Sequence, residues 1–190
     1  AMVQLKNILE TPSPSGFTAM VAEYLCKEFT ALGYAPQMTN KGGVFVDIGG
    51  GDSEDGLVLG AHVDTLGGMV MTVKENGRLK LTPLGLLCAN NTETENVTIY
   101  TRSGKTYSGT FQLENPAWHV NPDYNDTLRT FNNMEIVIDE KTSSRDETLA
   151  LGIGSGDIVC FHPRVVFTQS GYIKSRFLDD KLSSAILLAF

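Results

Sequence analysis

Cysteine is scarce in this chain. Only Cys26, Cys88 and Cys160 occur in 190 residues, an odd number at wide spacing. That pattern excludes a disulfide framework and a zinc knuckle, and it reads as reduced, buried thiols of a cytoplasmic protein. Basic residues are also few. Fifteen Lys and Arg stand against 22 Asp and Glu, for a formal net charge of −7. With no basic cluster and no basic amphipathic stretch, neither a nucleic acid nor an anionic membrane surface is an expected partner. No apolar run approaches the ~18 residues that span a bilayer. Ala1 to Glu10 has neither the apolar core nor the cleavage pattern of a signal peptide. Asn90, Asn96 and Asn125 open N-x-T triplets, which carry no glycosylation meaning without secretion. Internal repeats and low-complexity tracts are missing too.

What is present suits a packed protein of one domain or two small ones: 42% of residues are hydrophobic and 19% charged. Leu5 to Glu10 suggests a short helix, broken by Thr11-Pro-Ser-Pro-Ser-Gly16. Phe17, Val21, Leu25, Phe29 and Leu32 then fall at helical spacing, with Gly33 as the stop. Tyr34 to Met38 and Gly43 to Ile48 read as strands around a Lys41-Gly42-Gly43 turn. Gly49-Gly50-Gly51-Asp52 is no phosphate cradle, because neither a Lys-Ser pair nor a helix follows. From Met69 to His162 the texture changes. Short alternating runs at Met69–Val73, Arg78–Thr82, Asn96–Thr101, Thr106–Leu113 and Met134–Ile138 are punctuated by Asn76-Gly77 and Ser103-Gly104, which are hairpin signals. This predicts a compact β-barrel or sandwich inserted into an α/β domain. Asp146 to Leu151 suggests a short helix closed by Gly152. Val165–Phe167 and Gly171–Lys174 are then expected to return the chain to the α/β sheet.

The densest chemistry lies in LVLGAHVDTLGG, Leu57 to Gly68. Leu57-Val58-Leu59 reads as a buried strand leading into His62, with Asp64 two residues on. In open α/β sheets, ligands and catalytic groups collect at the carboxyl ends of strands. A neutral imidazole there suits zinc, cobalt or manganese, and a carboxylate beside it accepts the other ring N–H and fixes the tautomer. H-x-D alone is common by chance. It gains weight from Phe177-Leu178-Asp179-Asp180-Lys181, which also ends a strand and opens a helix. Asp179 and Asp180 are adjacent, so in a regular element they cannot face one site together. At a strand-to-helix junction one can face a metal while the other caps the helix. His119 and His162, the remaining histidines, read as structural, and Asp139-Glu140 as a solvated turn.

These segments resemble the M42 metallo-aminopeptidases, the group of the glutamyl and tetrahedral aminopeptidases. The matching pieces are A-H-V-D-T-L-G at Ala61 to Gly67, G-I-G-S-G-D at Gly152 to Asp157 and L-D-D-K at Leu178 to Lys181, in the family's order around a long β-rich insertion. The family pattern usually reads H-x-D-E-I-G and L-D-[ND]-R; here Thr65 stands for the acidic residue and Lys181 for the arginine. The resemblance implies a zinc-peptidase-like α/β catalytic sheet interrupted by a dimerisation domain, with bounds near 1–68, 69–162 and 163–190. It implies a site of two divalent ions (zinc, cobalt or manganese), with His62 as a ligand and Asp179 as the bridging carboxylate. Asp64 is then the candidate catalytic residue that holds the imidazole. The implied substrate is a peptide shortened from its N-terminus, and the implied assembly a homo-oligomer, a dimer or dodecamer in the full-length enzyme.

Members of that family carry a Glu-Glu pair, a further aspartate and a late histidine downstream of L-D-D. No Glu-Glu dipeptide occurs here, and the chain stops at Phe190 inside an apolar run without a C-cap signal. The expectation is therefore the N-terminal half of a longer enzyme, cut inside a core helix. Apolar surface is expected around Leu57–Leu59 and along Leu182–Phe190. Zinc sites take three or four protein ligands, so this chain by itself is expected to hold metal weakly or not at all and to be inactive. Two other readings compete: a non-catalytic self-association module built on the β insertion, and an M20-type metallopeptidase or deacylase. The long insertion between His62 and Asp179 speaks against the latter, whose extra domain enters later in the chain.

Overall fold

Two hydrophobic periods divide the chain, and each builds its own unit. The computed structural model describes residues 2–52 and 54–190. In chain order the elements are α1 (Met2–Glu10), α2 (Ala19–Ala31), β1 (Gln37–Met38), β2 (Val44–Phe45), β3 (Gly67–Val73), β4 (Leu79–Leu84), a single 3-10 turn (Ala89–Asn91), β5 (Asn96–Tyr100) and β6 (Thr106–Leu113). They continue with β7 (Met134–Ile138), α3 (Arg145–Ala150), β8 (Ile158–Phe161), β9 (Val166–Phe167), β10 (Ile173–Lys174) and α4 (Leu178–Ala189). One unit comprises Ala1–Thr65 with Pro163–Phe190, the other Leu66–His162. The architecture is α/β with a closed β-barrel insertion. Among the described residues no helix is long and apolar enough to cross a membrane.

In the Leu66–His162 unit the period of two prevails. Six antiparallel strands close in the order β3-β4-β7-β6-β5-β8. Alternate residues point inward: Val97 and Ile99 from β5, Phe111 and Leu113 from β6, Ile136 and Ile138 from β7, Val159 and Phe161 from β8. Phe111 meets Phe161 edge-on, ring centres 5.6 Å apart. The Asn76-Gly77 and Ser103-Gly104 signals are the β3–β4 and β5–β6 turns, with Gly77 at φ 80° and Gly104 at φ 82°. α3 starts with a capping box between Ser144 and Glu147. Thr148 Oγ1 then donates to Gly77 O at 2.9 Å, pinning the hairpin turn to the helix.

Glu135 on β7 is the one barrel carboxylate 1% exposed, and two cations satisfy it: Lys74 at 2.7 Å and Arg78. Lys74 and Lys80 also hold Glu114, at 2.6 and 2.8 Å. A carboxylate stripped of water is tolerated only when paired in this way.

In the other unit the period is helical. Leu5, Ile8 and Leu9 of α1, Val21 and Leu25 of α2, and Ala185 and Leu188 of α4 form one core, with Val63, Val165, Phe167 and Leu182 packed against it. Here several elements differ from expectation. β9 and β10 do not join a large sheet; they pair with each other, as do β1 and β2. Leu57-Val58-Leu59 is not a buried strand. Its side chains are 86, 82 and 53% exposed. A strand exists through its ladder, and among the described residues pairing on this run begins only at Thr65, which bridges Pro14 in parallel. Cys88 is exposed, since it sits in the loop before the 3-10 turn; Cys160 is buried and Cys26 half-buried.

Two outcomes test the barrel. A Cβ on Gly109 would lie 2.6 Å from Val137 O and 2.8 Å from Ile136 Cγ2. Backbone cannot yield as a flexible side chain does, so Gly109→Ala should destabilise the protein by about 1–3 kcal/mol in chemical denaturation. Hydrogen bonds from Lys74 and then Lys80 hold the Glu114 carboxyl below its usual range. A depressed folded pKa contributes stability that is present above the unfolded value and lost as pH falls through the folded one. Glu114→Gln should therefore destabilise the protein at pH 7, by at most about 1 kcal/mol for so exposed a group, seen as a lower Tm. The gap from the parent should close as the pH drops below about 4.3.

Candidate metal centre

The site grows from three segments distant in sequence within one unit. Pro12 and Pro14 prevent α1 from continuing into the next residues. Thr11–Gly16 becomes an arch, and Gly16, at φ 86°, turns it toward α2. This arch runs parallel to Val63-Asp64-Thr65. Thr65 N donates to Ser13 O at 2.8 Å and Ser15 N to Thr65 O at 3.1 Å. The buried Ser13 hydroxyl donates to Val63 O at 2.7 Å. With the chain extended, successive side chains alternate. Val63 packs against the core, and His62 and Asp64 emerge together on the other face.

The third segment is the start of α4. Asp179 (φ −87°, ψ 106°) and Asp180 (φ −124°, ψ 29°) are not helical, so regular helix begins at Lys181. The Asp179–Asp180 peptide is cis. The two carboxylates consequently part company. Asp180 caps the helix: a hydrogen bond from Ser183 holds its carboxyl below the usual range, with the His62 backbone N–H adding to the effect. Asp179 turns to the imidazole. Ser184 Oγ donates to His62 O at 3.2 Å, and the buried Lys181 donates through Nζ to Thr11 O at 2.6 Å.

The His62 ring is bracketed by two carboxylates. Nδ1 lies 3.1 Å from Asp64 Oδ1, and Nε2 lies 3.2 Å from Asp179 Oδ1. Ser15 Oγ donates to the other oxygen of Asp64, Oδ2, at 2.7 Å. All three members of the bracket reach solvent, with Asp179 95% exposed. A neutral imidazole donates through one nitrogen only. If Asp64 takes the Nδ1 proton, Nε2 presents a lone pair toward Asp179. Two donors about 2.1 Å from one ion, at tetrahedral or octahedral angles, stand about 3.0–3.4 Å apart. The Nε2–Asp179 separation falls within that interval, and the pair is chemically a fit for one edge of a divalent-ion shell. When the ring carries both protons, the same spacing makes a charge-assisted hydrogen bond. Among the described residues no group of three or more His, Cys, Asp or Glu converges in a metal-holding arrangement.

His62, Asp64 and Asp179 are thus brought together across 115 or more residues. His119 is elsewhere, exposed and edge-on to Trp118, and His162 Nε2 pairs with Thr98 Oγ1 at 3.1 Å. Ser15 is a member of the site that the sequence did not mark, while Ser13 and Ser184 bond backbone oxygens beneath it. Serine between prolines reads only as a helix break, and the Pro14–Thr65 bridge that gives it a role is non-local.

Comparison with known proteins identifies the family and the fold. Residues 42–190 match the family model for M42 glutamyl aminopeptidases, and the chain belongs to that family. It is 42% identical over 187 residues to the YhfE protein of Bacillus subtilis, covering 98% of this chain and 54% of that one. Against the glutamyl aminopeptidase of Lactococcus lactis the identity is 25% over 187 residues, covering 97% and 52%. Among solved structures, the TET1 peptidase of Pyrococcus horikoshii superposes with a TM-score of 0.82 at 21% identity, over 99% of this chain and 54% of that one. The chain therefore spans about half the length of the curated relatives it matches.

The cap on α4 is directly testable. Asp180→Ala should cost about 0.5–2 kcal/mol in thermal or chemical unfolding, and Asp180→Asn should recover most of it, since asparagine also accepts from the helix N–H groups.

Proposed function

We propose that this chain supplies the first metal ligands of an aminopeptidase that releases N-terminal residues from peptides. Family membership supports the reaction class. The observation that carries the reading is the imidazole of His62 set 3.2 Å from Asp179 and backed by Asp64. Bound there, divalent cations supply Lewis acidity toward a scissile carbonyl and acidify water enough to attack near neutral pH. The residues of this chain do the holding. Asp64 accepts the Nδ1 proton, orients the ring and makes Nε2 a better donor. Asp179 would hold the cations with its exposed carboxylate beside Nε2. One anion between two cations offsets their repulsion, which is the basis of the dinuclear reading. An imidazole with carboxylates suits zinc, cobalt or manganese.

Two donors make an incomplete shell, because zinc sites take three or four protein ligands. By itself the chain is proposed to bind metal weakly and to be inactive. The glutamate that would act as general base is assigned to no residue of it. The proposed partners are a peptide substrate and further copies of the same protein. The TET1 relative assembles into a tetrahedron or a large octahedral shell, and the barrel unit is the proposed contact surface. Its β6–β7 connection exposes Trp118, Val120 and Leu128, apolar groups that a second copy would cover.

The test uses the intact natural polypeptide and aminoacyl p-nitroanilides with added cobalt or zinc. His62→Ala and Asp179→Asn should each lower metal affinity by about 100-fold or more and abolish metal-dependent release of nitroaniline. The 190-residue chain should show no activity. Undiminished metal-dependent hydrolysis by His62→Ala would defeat the assignment. Turnover by the isolated chain would defeat the ligand count.

A further inference from the structure

We propose that Ser15 is a positioning residue of the metal centre: its hydroxyl holds the Asp64 carboxylate against His62 Nδ1, and thereby leaves Nε2 to face the cation. The inference rests on the metal reading of His62 and Asp179 above.

A carboxylate has two equivalent oxygens and swings freely about its last torsion. Asp64 is 47% exposed, so water competes for both. Something must hold it if it is to hold the imidazole. Ser15 donates to Oδ2 at 2.7 Å, which leaves Oδ1 at 3.1 Å from Nδ1. The hydroxyl is itself well anchored. Ser15 N donates to Thr65 O, one residue beyond Asp64, at 3.1 Å. Serine and aspartate are thus joined twice, once through backbone and once through side chains, in a small closed ring. The preceding residue, Pro14, is buried and fixed in φ.

The arch also reaches the second ligand segment, since Lys181 Nζ binds Thr11 O at 2.6 Å. Thr11–Gly16 therefore touches the H-x-D segment at one end and the L-D-D-K segment at the other. Its neighbouring hydroxyl performs a different task. Ser13, fully buried, donates to the backbone oxygen of Val63 and touches no carboxylate. Ser13 holds the fold of the arch; Ser15 spends its hydrogen bond on the group that orients the imidazole. Partners of this outer kind affect metal affinity by about 10–100-fold when removed, whereas an exposed hydroxyl adds little to stability.

The intact natural polypeptide is titrated with cobalt against a chelator, following the visible absorption of the bound ion. Ser15→Ala should weaken cobalt binding by about 10–100-fold, and Ser15→Thr, which keeps the hydroxyl, should restore it to within about threefold. Ser13→Ala should lower the Tm and leave the cobalt spectrum as in the parent. Parent-like cobalt affinity in Ser15→Ala, with His62→Ala devoid of binding, would overturn the role of Ser15 alone. Equal losses of affinity in Ser13→Ala, Ser15→Ala and Ser15→Thr would overturn it in favour of simple packing. Parent-like affinity in His62→Ala would instead remove the metal reading itself.

Discussion

An imidazole has two nitrogens and, when neutral, one proton to place. In this protein carboxylates flank both nitrogens of His62, Asp64 at Nδ1 and Asp179 at Nε2. Everything around the site serves to keep those oxygens where they are. The extended backbone puts His62 and Asp64 on one face, and the break before Lys181 separates Asp179 from Asp180. The arch of Thr11–Gly16 bonds to both segments. The polar atoms involved come largely from backbone and small hydroxyls, which lose little conformational freedom when fixed.

The barrel solves a different problem. It closes on itself, so each strand has two neighbours and no long edge is left to pair elsewhere. Its interior is almost wholly aliphatic and aromatic. The deeply buried Glu135 is neutralised by Lys74 and Arg78, which flank the β3–β4 turn. His62, Asp64 and Asp179 are located in the other unit.

Membership of the M42 family and the geometry at His62 speak to different levels. The family match covers most of the chain and fixes the class. The likeness to solved structures at about one-fifth identity bears on fold. The placement of Asp64 against Nδ1 and of Asp179 against Nε2 is a feature of this chain's own structure. It is also local, needing only residues of one unit.

Much of the barrel was legible in the sequence, because a period of two and Asn-Gly or Ser-Gly turns are local signals that the closed ladder respects. β6 and β7 fall at the residues the alternation indicates, β3, β4 and β5 differ by one or two residues at their ends, and β8 answers to no run read from the sequence. α1 and α2 were legible from apolar spacing and from their breaks at Pro12 and Gly33. Leu57–Leu59 was misread, because apolar composition describes what a strand would bury, not whether a neighbouring strand is there to pair with it. The sequence by itself determined the residue types at the site: one H-x-D, one pair of adjacent aspartates, and a proline-rich break between two helices. Only the tertiary structure decided that Asp179 meets the ring while Asp180 caps the helix, and that Ser15 reaches Asp64. The meetings of Asp179 with the ring and of Ser15 with Asp64 span 117 and 49 positions, which no local preference encodes, whereas the Asp180–Ser183 contact is local.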